Sequence, residues 1–231
     1  MRGYSGLPWS LIVVAAGKSS RLKSATPKPF LTLSPGTSML EASLAVFARV
    51  PLLRYAVVAT RKEYLDKAFR MLSRRGIPGR VVEGGSERED SVARALLAMP
   101  PGIPLVLVHD AARPFVTHRV IQNVLSGAAR WGAVVPGVKV TDTIKLYKPG
   151  GAVQATLPRH RLAAVQTPQG FKTDLLRNAF RKVGKKRSAL TDDGAVAQAA
   201  GYPVRLVVGD IHNFKITTKA DLIRARGLFR R

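Results

Sequence analysis

The sequence contains no cysteine. Disulfides, thiolate nucleophiles and cysteine-ligated metals are therefore excluded. Histidine is scarce too: His109, His118, His160 and His212 are too scattered to form a zinc spacing. No apolar run approaches the about 18 residues of a membrane-spanning helix, so no span is expected. The opening residues, MRGYSGLPWS, are too short and too polar for a targeting leader, which makes a cytoplasmic protein the expectation. Acidic side chains are also few, 14 Asp and Glu against 38 Lys and Arg, for a formal charge of +24. Such an excess attracts polyanions, either nucleic acid or phosphorylated small molecules. The densest basic block runs from Lys172 to Arg187. Its apolar Leu175, Leu176, Ala179, Phe180 and Val183 keep helical spacing, so most of its charges form a solvated helix face. No RNA- or DNA-binding signature accompanies the charge, and nucleic acid is not the expected partner.

What is present begins with Ser10 to Lys28, SLIVVAAGKSSRLKSATPK. Leu11 to Ala16 is an uninterrupted apolar run of the kind expected of a buried parallel strand. It stops at Gly17 and gives way to small and basic residues, among them Arg21 and Lys28. A strand running into such a loop exposes backbone N–H groups that, with two cations, suit a polyphosphate; an ordinary basic surface loop is the alternative. Two familiar phosphate loops do not fit. A P-loop needs a glycine five positions before Gly17, where Ile12 stands, and a dinucleotide fingerprint needs glycines where Ser19 and Leu22 stand.

From there strands and helices alternate. Helical stretches are predicted over Ser38 to Val50, Lys62 to Arg74, Glu87 to Met99 and Thr117 to Trp131. Strands are predicted over Tyr55 to Ala59, Arg80 to Val82, Leu105 to Val108 and Ala133 to Pro136. This rhythm defines an α/β fold with a mostly parallel sheet and helices on both faces. Ligands bind such sheets beyond the carboxyl ends of the strands, so the loops after Ala16, Val82 and Val108 should share one edge. After Pro136 the rhythm breaks. Val138 to Tyr147 and Val153 to Leu157 flank Lys148-Pro149-Gly150-Gly151, a strong turn signal. A hairpin there is marginal alone and needs the domain or a second subunit to pack on. The end reads as strands over Pro203 to Val208 and Phe214 to Ile216, then a helix over Lys219 to Leu228. One domain, 1–231, with 137–160 as a hairpin arm, accounts for the chain.

The loops carry the chemistry. His109-Asp110 follows a buried strand, with Arg113 close behind; a carboxylate there can hold a metal or a substrate hydroxyl, or simply cap a turn. In EGGSEREDSV two glycines allow close backbone approach to a ligand, and Ser91 lies a helical turn further on. Lys215 sits inside a short apolar run, where it either faces an anion or protects a strand edge.

Taken in order, AAGKSSRL, PKPF, EGGSEREDSV, VHDAARPFV, VTDTIK, QTPQGF, TDD and FKIT resemble the motifs of the 2-C-methyl-D-erythritol 4-phosphate cytidylyltransferases across residues 10 to 230. The resemblance implies a Rossmann-like nucleotidyltransferase fold and CMP transfer from CTP to methylerythritol phosphate, with Mg2+. It implies that Ala15, Ala16, Gly17, Arg21 and Lys28 form the triphosphate loop, and that Gly84, Gly85, Ser86 and Ser91 recognise cytosine and ribose. Asp110, Arg113, Thr143, Arg159, Thr167 and Lys215 would hold the sugar phosphate or lie beside it. Arg21, Lys28 and Lys215 are the expected catalytic cations, and Asp110 is the one candidate metal ligand. The resemblance further implies a homodimer in which the arm brings Thr143 and Arg159 to the partner's site. Ser19 and Pro29 depart from the pattern without removing a cation. A ribitol 5-phosphate cytidylyltransferase is the neighbouring alternative, and a basic nucleic-acid-binding protein on a degenerate fold is the alternative of another class.

Overall fold

The computed structural model describes residues 6–17, 24, 26–184 and 190–229. Arg21, with Lys18 to Ser20, lies outside the described residues, as do residues 185–187 of the basic block. The central strand β1 (Trp9–Val14) lies between β4 (Leu53–Thr60) and β6 (Leu105–Asp110), parallel to both. Alternation sorts its apolar residues onto two faces. Leu11 and Val13 join Leu105 and Leu107 in one core, whereas Ile12 joins Val57, Val106 and Val108 in the other. A strand buried on both faces has no polar register, which is why the run is apolar throughout.

The first core is covered by α1 (Met39–Phe47), α2 (Leu65–Arg74) and α4 (His118–Trp131). The second is covered by α3 (Arg88–Ala98), α5 (Thr173–Val183) and α6 (Asp193–Ala199). A small two-stranded piece, β2 (Thr32–Ser34) with β3 (Thr37–Ser38), precedes α1. Ser38 and Glu41 then close a capping box on that helix.

The sheet has β5 (Gly79–Glu83) beyond β4 at one side and β7 (Ala133–Lys139) towards the other. The hairpin arm is a separate sheet of β8 (Ile144–Tyr147) and β9 (Val153–Leu157). Returning from it, β10 (Ala163–Val165) and β11 (Gln169–Lys172) both run antiparallel to β7, and β11 also pairs with β6. The last strand, β12 (Arg205–Val208), is parallel to β7 on its other side. Helix α7 (Lys219–Phe229) closes a third, smaller core with Leu33, Met39 and Ile216.

Three expectations are corrected. The first strand starts at Trp9 and ends at Val14, leaving Ala15 and Ala16 in the loop. Val138 to Tyr147 is not one strand: β7 ends at Lys139 and β8 begins at Ile144, the intervening chain leaving the main sheet with Thr141 C=O accepting from Arg159 Nη1 at 2.7 Å. Phe214 to Ile216 forms no strand; its backbone is tied to the domain by the Ile216 N–H to Ala112 C=O bond of 2.9 Å, and Phe214 stacks on Phe115.

Candidate active site

Because β1, β4, β5 and β6 are parallel, their carboxyl ends open on one edge. A cleft of about 730 Å3 lies there, lined by Ala15, Ala16, Gly17, Lys28, Gly84, Gly85, Ser86, Ser91, Asp110 and Lys215 among others. Its volume suits a small-molecule ligand.

The floor comes from β1 and β4. The Ala15 N–H donates to Ala59 C=O at 2.7 Å, and Thr60 Oγ1 donates to Ala15 C=O at 3.3 Å. Ala15 therefore shapes the loop by its backbone, and its amide is not offered to a phosphate. A Cβ on Gly17 would meet nothing within 4 Å, whereas one on Gly84 would strike the Ala16 side chain. Gly84 is thus required by the close approach of the two loops. Ser91 Oγ accepts from the Gly85 N–H at 3.0 Å and donates to Glu87 C=O at 3.2 Å. This hydroxyl folds the glycine loop onto the start of α3, and Ser86 Oγ makes a 3.0 Å bond to Asp90 nearby.

Lys28 enters through a 3-10 turn, Lys28–Phe30, set by Pro27 and Pro29. Asp110 ends β6. Its Oδ1 accepts from Arg88 Nε at 2.9 Å and its Oδ2 from Lys215 Nζ at 2.7 Å. Burial by itself would raise the Asp110 pKa, but the charges of Arg88 and Lys215 outweigh it and hold the carboxyl well below the usual range. Asp110 is an anion at every working pH.

Behind Asp110 the hydrogen bonds run in one direction. His109 Nε2 lies 3.2 Å from Arg113 C=O, which can only accept, so Nε2 carries the proton. His109 Nδ1 therefore accepts from Thr167 Oγ1 at 3.2 Å, and that oxygen accepts from the Asp110 N–H at 3.0 Å. The single hydroxyl proton of Thr167 is used inside the protein. Burial lowers the His109 pKa to about 3, so the imidazole is neutral.

Thr167, Arg113, Thr143 and Arg159 are not among the residues lining the cleft. Arg113 donates to Asn213 C=O at 2.8 Å and to Val165 C=O at 3.4 Å, joining the segment before Lys215 to β10. Thr143 and Arg159 are exposed on the arm. Sequence reasoning missed Arg88, which lines the cleft, and Asp193, whose Oδ2 accepts from Arg88 Nη2 at 2.8 Å. The glutamines of QTPQ are structural: Gln166 brackets Asp210, and Gln169 grips both Asp192 and the Gly194 N–H at the start of α6. Among the described residues no group of three His, Asp or Glu side chains could hold a metal ion. Each Asp110 oxygen already accepts from a cation, Arg88 or Lys215, and the described residues offer no preformed metal site.

A mostly parallel α/β sheet with a glycine-shaped cleft bearing lysines at its carboxyl edge defines a protein of the nucleotide-handling class. The chain belongs to the family described as 2-C-methyl-D-erythritol 4-phosphate cytidylyltransferase, IspD, whose model matches residues 9–231. It is 39% identical over 227 residues to the enzyme of that name from Pelotomaculum thermopropionicum, covering 95% of this chain and 93% of the relative. It is 43% identical over 220 residues to a bifunctional enzyme IspD/IspF from Desulforudis audaxviator; there it spans 94% of this chain but 55% of the relative. Among solved structures, a 4-diphosphocytidyl-2C-methyl-D-erythritol synthase from Anaerococcus prevotii matches with a TM-score of 0.84 at 28% identity, covering 98% of this chain and 100% of the other. The Thermus thermophilus cytidylyltransferase matches with 0.78 at 39% identity, covering 97% and 100%.

Proposed function

We infer that the chain transfers CMP from CTP to 2-C-methyl-D-erythritol 4-phosphate, giving 4-diphosphocytidyl-2-C-methyl-D-erythritol and pyrophosphate in the non-mevalonate isoprenoid pathway. Family membership over residues 9–231 carries this reading. A phosphate oxygen of the sugar substrate attacks the α-phosphorus of CTP in line; the bond to the β-phosphate breaks, and pyrophosphate leaves with its electrons. The nucleophile is already ionised at neutral pH, so the reaction needs alignment and charge neutralisation rather than a strong base. That agrees with a cleft lined by no imidazole among the described residues, His109 behind Asp110 being buried and neutral.

In this reading Lys28 faces the triphosphate, Arg21 is the second cation the resemblance assigns to it, and Lys215, still partly exposed beside Asp110, counters the two anions brought together. The Gly84-Gly85 loop, held by Ser91, receives the cytidine. Magnesium arrives as the counter-ion of CTP, and Asp110 acts on the lysine instead of on a metal. The arm carries Thr143 and Arg159 to a partner's sugar-phosphate site in a homodimer, which fits the exposure of Leu146, Tyr147 and Val153 on the arm. No helix among the described residues is long and apolar enough to cross a membrane, and the reaction belongs in the cytoplasm with its nucleotide.

Pyrophosphate release with CTP and Mg2+ tests this, with methylerythritol phosphate set against ribitol 5-phosphate. Turnover with the first substrate is expected, and Lys28→Ala should lower kcat about a hundredfold, on the order of 3 kcal/mol. Turnover with ribitol phosphate alone would move the protein to the neighbouring substrate, and no turnover with either would refute the assignment.

A further inference from the structure

Arg88 takes no part in the transfer as derived above, yet it stands at the centre of the cleft's charge network. It is the first residue of α3, and it reaches two carboxylates at once: Nε donates to Asp110 Oδ1 at 2.9 Å and Nη2 to Asp193 Oδ2 at 2.8 Å. Asp193, wholly buried, is the first residue of α6. The chain of charges therefore runs Asp193, Arg88, Asp110, Lys215, its last member in the cleft.

Resting on the transfer reading, we propose that Arg88 is a positioning residue for the reaction: it holds Asp110 from behind, and Asp110 in turn fixes the Lys215 ammonium where substrate charge gathers. Two arguments carry this. A largely buried ion-pair chain is a poor source of stability, because the cost of desolvating Asp193, Arg88 and Asp110 offsets much of their attraction. Its placement against the cleft then calls for another role. The second argument is geometric. Asp110 divides its two oxygens between Arg88 and Lys215, so the direction of the Lys215 bond depends on what holds Oδ1. Arg88 supplies that hold from the first turns of two helices, which are rigid supports. The planar fork of a guanidinium serves two carboxylates in a fixed geometry, which an ammonium on a flexible stem does not reproduce.

The test compares wild type with Arg88→Lys and with the double variant Arg88→Met/Asp193→Asn in the pyrophosphate assay. The double variant removes one charge of each sign, so the net charge of the site is unchanged; Asp110 keeps Lys215, and Glu89 loses only the 3.9 Å approach of Arg88 Nη1. The double variant should melt within a few degrees of wild type, and Arg88→Lys, which pairs the wholly buried Asp193 less well, should melt lower while still folding. In both, kcat should fall about 30-fold, with the KM for CTP moving less than about threefold, as expected of a displaced rather than a missing catalytic group. Adding Lys215→Ala to Arg88→Lys should cost little beyond Lys215→Ala alone, because the two act through one ammonium. A folded variant with kcat within about twofold of wild type, or losses that multiply in the cycle, would overturn the proposal. Should the double variant not fold, Arg88→Lys and its cycle decide alone. Wild-type turnover separates the two readings: an inactive wild type removes both, and an active wild type with active variants removes only the role of Arg88.

Discussion

His109 is enclosed by Phe47, whose ring meets it edge-on at 4.9 Å, by Thr167 and by the Arg113 carbonyl. Folding keeps it neutral, with its pKa lowered by burial to about 3, while in the unfolded chain it titrates near the ordinary value of about 6.5. Below that value the unfolded chain binds the extra proton. Stability from this residue is complete above about pH 6.5 and is lost as pH falls towards 3. Between pH 7 and 5, where unfolded carboxylates are still ionised, the urea midpoint should fall on acidification. His109→Gln should remove most of that slope; an equal slope in the variant would show that the imidazole is not its source. Asp110 was legible because it follows an apolar run, Lys215 because it is a charge inside one, and Lys28 because it lies in the small, basic stretch after the first run. Arg88 and Asp193 were not, since they meet only when the starts of α3 and α6 pack together, and nothing local to REDSV or TDD marks that contact. Thr167 was marked by its motif, but the fold sets it behind Asp110 and outside the cleft lining, and the use of its hydroxyl depends on the direction of the His109 hydrogen bonds.

At the scale of elements, α7 shows how a short signal anchors a functional segment. Asp221 Oδ2 accepts from the Thr217 N–H, the Thr217 hydroxyl and the Thr218 N–H, each at 2.8 Å. Its slight burial would raise its pKa, but these bonds prevail and lower it to about 2. The cap is thus present above the ordinary carboxyl pKa of about 3.9 and is lost as pH falls through about 2. Asp221→Asn should lower stability by about 1 kcal/mol at neutral pH, read as a reduced melting temperature, with the difference closing below pH 2. A difference that persists there would point to packing instead of the cap. The parallel strands and the helices between them were readable because apolar runs and amphipathic stretches alternate cleanly. The antiparallel β10 and β11 were not, being only three and four residues long. Helix α6 was missed for the same reason, as seven residues give too few turns for periodicity to register. Phe214 to Ile216 looked like a strand because aromatic and branched residues alternate there, yet the segment is held by one backbone bond and by side chains outside the sheet.

At the scale of the whole molecule, the proposed homodimer makes a sharp statement about mixtures. Lys28 belongs to the body of a subunit and Arg159 to its arm. If each site combines the body of one subunit with the arm of the other, Lys28→Ala and Arg159→Ala should both be nearly inactive alone. Their reassociated mixture should then recover about a quarter of the wild-type sites, since half the dimers are mixed and each has one intact pair. No recovery from a mixture shown to exchange subunits would place Arg159 in its own subunit's site or outside the reaction. The charge of +24 belongs to this scale as well, because its field draws in both anionic substrates from a distance. The tie between Asp110 and Lys215 joins residues 105 positions apart, and Lys215 is synthesised after every strand of the sheet. A chain emerging from the ribosome can therefore lay down the described strands in order, with Asp110 in place before the ammonium it will hold has been made.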